Sequence, residues 1–208
     1  MGLCVKLNNF DKLSLTPMQA AFIFAPKNKK MQLGERLPEF SLKGVDGNIY
    51  THFHFADKYA LAVVFTCNTC EVSKAYGQRL IKILKQYEDD NLGILGINCN
   101  DAAQSPGDNF EEMQAISGKL HLEEMRFRYL HDPEQTVAKR FGAETNPEVF
   151  LFNSKRELVY KGAIDDCWDN ENMVTNVWLE DATENALDGI EVDYPEVKPI
   201  GCPIIWKN

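Results

Sequence analysis

The chain has 208 residues, 44% of them hydrophobic, and a formal net charge of −9 at pH 7. That length and composition suit one domain with a full apolar core, while the acidic balance repels phosphate backbones and anionic headgroups, so neither nucleic acid nor a membrane is an expected partner. No apolar run approaches the roughly 20 residues that span a bilayer, and the first apolar stretch, "MQAAFIFA", has basic residues after it, the reverse of a secretory leader.

In chain order, residues 1–30 read as an extension of variable order and residues 31–208 as the domain. "THFHF" alternates His52 and His54 with phenylalanines, which suits a strand. Residues 61–66, "LAVVFT", form a nearly continuous apolar run, as in a strand buried on both faces. "CNTC" follows, and then apolar positions recur at three- and four-residue steps from Val72 to Tyr87, which predicts an amphipathic helix. "LGILGIN" is a second buried strand. "DNFEEMQAISGKL" places Asp108 three residues before Glu111, a capping-box spacing. A short strand "RFRYL" precedes a helix in which Asp132 caps Pro133 at the first position. Two strands, "EVFLF" and "ELVYKG", meet at the turn "NSKR", and a last helix runs over residues 172–187. Strands alternating with helices, then a hairpin and a helix, imply an α/β fold with a mixed central sheet.

The chain has six cysteines: Cys4, Cys67, Cys70, Cys99, Cys167 and Cys202. They are too few for a disulfide scaffold in a chain this long, and a reducing, cytoplasmic location fits better. Four of them stand apart in sequence, and the histidines lack a helical i, i+4 pairing, so no metal site is expected. Cys67 and Cys70 sit where a strand ends and a helix begins, the edge at which chemistry collects in open α/β sheets. There the unpaired N–H groups and the helix dipole favour a thiolate, which predicts a lowered pKa and a nucleophilic role for Cys67. Cys70, on the same helical face, is placed to resolve a mixed disulfide and close a Cys67–Cys70 bond. The competing reading is a pair of inert buried thiols; the polar Asn68 and Thr69 argue for an exposed loop instead.

The segments "LGERLPEFSLKGVDG", "FTCNTC", "DPEQTVAKRFGAETNPEVFLFN" and "GAIDD" resemble the thioredoxin-like superfamily, in its redoxin, AhpC/TSA-like branch. The resemblance runs from about Leu33 to the end, and "GAIDDCW" and "IGCPIIW" are similar to a bacterial subgroup of thioredoxin-family proteins. It implies a thioredoxin-like fold with an N-terminal redoxin-type β extension and a disulfide oxidoreductase acting in redox homeostasis without a cofactor. Its partners would be a protein or small-molecule disulfide and a thiol electron donor. It also implies that Pro147 is cis and that Asn146 offers its backbone to an extended substrate.

Two positions depart from the family pattern. Val64 stands where peroxiredoxins place a threonine three residues before the reactive cysteine, and Leu61 where thioredoxin carries a buried aspartate. Asn98, Asn100, Asp101, Asp165 and Asp166 form polar clusters at strand ends; they read equally as turn-making and helix-capping residues or, for Asp165 and Asp166, as the candidates to tune the thiols in place of that aspartate. The alternatives to disulfide exchange are a peroxiredoxin-like hydroperoxide reductase with antioxidant activity and a non-catalytic metal-binding or delivery module. Cys99 is expected to be a packed thiol; Cys167 and Cys202 sit in C-terminal segments that could fold back over the active edge, where the expected role of each is structural or incidental and exchange with the Cys67/Cys70 pair is the alternative. Lys74 is read as solvated, and Trp168 and Trp178 as core or lid anchors.

Overall fold

The computed structural model describes residues 29–208, so the extension expected over residues 1–30 lies, up to residue 28, outside the described residues. Apolar continuity sets the centre of the fold. β3 (Ala60–Phe65) and β4 (Leu92–Asn98) are buried along their whole lengths, as strands covered on both faces must be. They run parallel to each other and to β5 (Arg128–His131). β1 (Ser41–Gly44) pairs antiparallel with β5 and with β2 (Ile49–Thr51). On the other side β7 (Glu148–Phe152) and β8 (Leu158–Gly162) extend the sheet antiparallel, giving the order β2-β1-β5-β4-β3-β7-β8. A separate two-stranded ribbon joins β6 (Thr145–Asn146) to β9 (Cys202–Pro203).

Because side chains alternate along a strand, β3 feeds two cores. Ala60, Ala62 and Val64 pack with Tyr76, Leu80, Ile83 and Leu84 of α1 (Glu71–Gln86), with Met113 of α2 (Phe110–Leu120) and with Leu179 and Ala182 of α4 (Trp178–Asp188). Leu61, Val63 and Phe65 face Val137, Ala138 and Phe141 of α3 (Thr136–Phe141), together with Met31, Phe40 and Ile204.

Four local expectations change. His52 and His54 lie in a single 3-10 turn, not a strand; the His54 ring accepts from the Thr51 N–H at 3.0 Å, and the turn buries Phe55 while leaving Phe53 exposed. α2 is capped by Asn109, whose side chain accepts from the Glu112 N–H at 2.8 Å, because Asp108 is drawn into the interior. α3 begins at Thr136 instead of Pro133: Gln135 takes a left-handed backbone at φ 57°, so no helix propagates through it. The last helix starts at Trp178, since Asp166 accepts from the Thr175 N–H and hydroxyl and from the Asn176 amide and keeps the preceding segment out of the helix.

Asp132 does cap, from further away than expected. Its carboxylate accepts from the N–H groups of Thr136, Val137 and Ala138 at 3.1, 2.9 and 2.9 Å. Asp132→Ala strands the buried Val137 and Ala138 donors along with that of Thr136 and should cost about 2–3 kcal/mol, read as a lower urea midpoint at unchanged slope.

Candidate functional site

β3 delivers Cys67 to its carboxyl end, and Cys70 is the N-cap of α1 in an extended conformation. Both cysteines are buried. The Cys67 sulfur lies against the N–H groups of Thr69 and Cys70 and 4.0 Å from the Thr69 hydroxyl, the donors that a helix start supplies to a thiolate. They do not win. Burial, the largest influence, and then the charge of Asp108 push the Cys67 thiol above its ordinary pKa, which corrects the expected lowering. The expectation of an exposed loop holds for Thr69 and is corrected for Asn68, which is buried with its polarity spent on internal hydrogen bonds.

Asp108 is the charged group that sequence reasoning missed. It is fully buried, and one carboxylate oxygen accepts from the Asn68 N–H at 2.6 Å and the Asn98 amide at 3.1 Å. The other accepts from the hydroxyls of Thr69 (2.7 Å) and Ser105 (2.6 Å) and from the Asn100 amide (2.9 Å). Burial alone would raise the Asp108 pKa, but these donors outweigh it and hold the carboxyl below its usual range. The Asn68 side chain in turn accepts from the Tyr129 hydroxyl at 2.8 Å. The Cys-x-x-Cys loop is thus pinned by one ionised carboxylate 40 positions away in sequence. The only sequence signal was the polar cluster at the end of the second buried strand, including Asn98 and Asn100.

Asp165 and Asp166 are placed elsewhere. The buried Asp165 accepts from the Tyr76 hydroxyl and Arg79, each at 2.6 Å, and from the Cys167 N–H. Arg79 also donates to the carbonyls of Cys167 and Trp168, so the pair clamps the segment after β8 onto α1. Asp166 is spent on Thr175 and Asn176. Among the described residues neither carboxylate bonds to Cys67 or Cys70, which corrects the tuning role in favour of Asp108. Cys99 is a packed thiol whose pKa is raised by burial and then by Asp132. Cys167 lies 3.3 Å from an Asp169 carboxylate oxygen.

The disulfide of this structure joins Cys70 to Cys202, with the Cα atoms 6.1 Å apart, and leaves Cys67 a free thiol. The expectation of a Cys67–Cys70 bond is corrected for this state; Cys202, expected in a structural or incidental role, is the residue bonded to Cys70. Pairing across the ribbon sets the partner: Asn146 stands opposite Cys202 and Thr145 opposite Pro203, and the Asn146 carbonyl oxygen is 3.3 Å from the Cys70 sulfur. The Asn146–Pro147 bond is cis. The backbone edge expected to receive substrate is held by the chain's own tail. Since the disulfide closes a loop across 132 positions, reducing it should lower stability by roughly 3–5 kcal/mol on chain-entropy grounds, measured by guanidinium unfolding with and without a phosphine reductant.

A cavity of about 320 Å³ is lined by Thr66, Cys67, Ser73, Leu80, Ile116 and Phe127, among others, and by Lys74 and Lys119, both exposed residues. The buried Ser73 hydroxyl has no hydrogen-bond partner among the described residues. Also among the described residues, no group of three or more His, Cys, Asp or Glu side chains is arranged to hold a metal ion.

Against known proteins, the AhpC/TSA family model matches residues 33–161. A hypothetical protein from Sinorhizobium meliloti is 34% identical, with a TM-score of 0.78 over 87% of this chain and 98% of that one. An uncharacterized conserved protein from Geobacillus kaustophilus is 31% identical, with a TM-score of 0.79 over 87% and 95%. The thioredoxin domain of a thiol-disulfide oxidoreductase from Bacteroides vulgatus, at 15% identity, shares the fold, with a TM-score of 0.52 over 64% of this chain and 89% of that one. The α/β architecture is therefore the thioredoxin-like fold that the resemblance implied. No protein of curated function matches significantly.

Proposed function

Because the chain belongs to the AhpC/TSA family, we propose that it is a thiol-disulfide oxidoreductase with Cys67 as nucleophile and Cys70 as resolving cysteine. The observation that carries this reading is a free thiol at Cys67 within three residues of an oxidised sulfur at Cys70, both at one strand-to-helix junction. With Cys70 reduced, the Cys67 thiolate attacks one sulfur of a substrate disulfide; the substrate S–S bond breaks, a mixed disulfide forms and the first substrate thiol leaves. The Cys70 thiolate then attacks the Cys67 sulfur and expels the second substrate thiol, leaving a Cys67–Cys70 disulfide. Two electrons and the two cysteine protons pass to the substrate. A thiol donor restores the pair, and no cofactor takes part.

Substrate reaches Cys67 through the cavity, because the tail holds the Asn146 edge. The Ser73 hydroxyl, without a partner among the described residues, and the flanking Lys74 suit a polar or anionic group carried on the substrate disulfide. Peroxide chemistry is the weaker reading, since Val64, fully buried in β3, stands where the peroxiredoxin threonine would, and the hydroxyl that does lie near the Cys67 sulfur, that of Thr69, donates to Asp108. The test is dithiothreitol-driven insulin reduction by the full chain and by Cys67→Ser.

A further inference from the structure

From the pairing of the tail with Asn146, we infer that Cys202 is a third catalytic cysteine, which takes the disulfide from the Cys67–Cys70 pair and carries it to the surface. The inference rests on the oxidoreductase reading above. After the substrate has been reduced, the Cys202 thiolate attacks the Cys70 sulfur of the Cys67–Cys70 disulfide. The Cys67–Cys70 bond breaks, the Cys70–Cys202 bond forms, and Cys67 leaves as a thiolate that takes up the proton Cys202 gave. One disulfide and one thiol stand on each side of the exchange, so no outside oxidant or reductant enters. The product is the state this structure holds: Cys70 bonded to Cys202, with Cys67 free.

Three observations support a reactive role over a passive staple. First, the tail lies where an extended substrate would. β9 pairs antiparallel with β6 at Asn146, and Gly201 runs so close that a Cβ there would fall inside van der Waals contact of the Asn146 carbonyl and the Pro147 nitrogen. Second, the exchange moves oxidation outward: Cys67 and Cys70 are buried, whereas Cys202 is partly exposed. Third, the tail has anchors that do not depend on the disulfide. The Ile204 N–H donates to the Glu144 carbonyl at 2.9 Å, the Ile205 N–H to the Asn100 side chain at 3.0 Å, and the Lys207 N–H to the Gln135 side chain at 2.9 Å. Ile204 itself is buried. Opening the bond therefore leaves Cys202 tethered beside Cys70 at high effective concentration.

The experiment treats fully reduced protein with one equivalent of hydroxyethyl disulfide, quenches with N-ethylmaleimide at intervals and maps the disulfide peptides by mass spectrometry. Cys67–Cys70 should appear first and then convert to Cys70–Cys202. Cys202→Ser should stall at Cys67–Cys70, and its dithiothreitol-driven insulin turnover should fall about tenfold. Gly201→Val, which crowds the tail off Asn146 while keeping all three thiols, should slow the conversion. The inference is overturned if the wild-type chain stops at Cys67–Cys70, or if Cys202→Ser turns over at the wild-type rate; the wild-type time course needs no variant to fold. Failure of the underlying reading looks different: the wild type then leaves hydroxyethyl disulfide unconsumed and forms neither bond, and the relay falls with it.

Discussion

Cys67→Ser should lower dithiothreitol-driven insulin reduction by about 10³-fold or more, because removing the attacking atom of a concerted group abolishes nearly all that the group contributes. A serine hydroxyl stays protonated at any working pH and forms no mixed disulfide. The substitution changes one buried atom and leaves the Cys70–Cys202 bond untouched, so the unfolding midpoint should barely move, which separates lost chemistry from lost fold. Cys70→Ser should behave differently: Cys67 still attacks, and the unresolved mixed disulfide accumulates as a covalent adduct visible by mass. The pH profile carries a further check. Since burial and Asp108 raise the Cys67 pKa, the thiolate is the minor form at neutral pH, and the single-turnover rate should climb as pH rises through the alkaline range. Reductase activity that survives Cys67→Ser unchanged would sink the assignment.

Asp108→Ala should destabilise the fold by about 3–5 kcal/mol, because several buried donors lose a charged acceptor at once. The donors are the Asn68 N–H, the Thr69 and Ser105 hydroxyls and the Asn98 and Asn100 amides. The milder Asp108→Asn keeps the shape, removes the charge and relieves the Cys67 thiolate of its nearest repulsion. Alkylation of Cys67 by iodoacetamide at pH 8 should therefore be faster in this variant than in the wild type. The effect of the carboxylate on stability has a definite sign. Its folded pKa is lowered, so its contribution is complete above the unfolded value of about 3.9 and is lost as pH falls through the folded pKa. The wild type should lose stability along that acid limb and Asp108→Asn should lose less, as followed by urea midpoints at successive pH values. Equal slopes in the two proteins would show that the Asp108 charge is not held as described.

Sequence reading located the junction because local pattern determines it. The apolar run through Phe65, the polar Cys-x-x-Cys loop and the helical recurrence from Val72 to Tyr87 are short-range signals, and they correspond to β3, the loop and α1. The same holds for β4, β7 and β8, whose apolar residues specify burial wherever the strands pair. Helix starts were less legible. Asp108, Asp132 and Asp166 all looked like residues that cap or turn their immediate neighbours. Only the packed chain decides whether a carboxylate bonds locally, as Asp132 does to α3, or crosses to another segment, as Asp108 does to Asn68.

What the sequence by itself determined was an α/β chain with two cysteines at a strand-to-helix edge, since periodicity and spacing are properties of neighbouring residues. Tertiary structure decided which charge faces Cys67, which sulfur binds Cys70 and what lies along Asn146. Those answers came from residues 41, 132 and 56 positions distant. A thiol's pKa and partner depend on the groups that folding brings within a few ångströms, and nothing in the spacing of "CNTC" records that the chain returns there with Cys202.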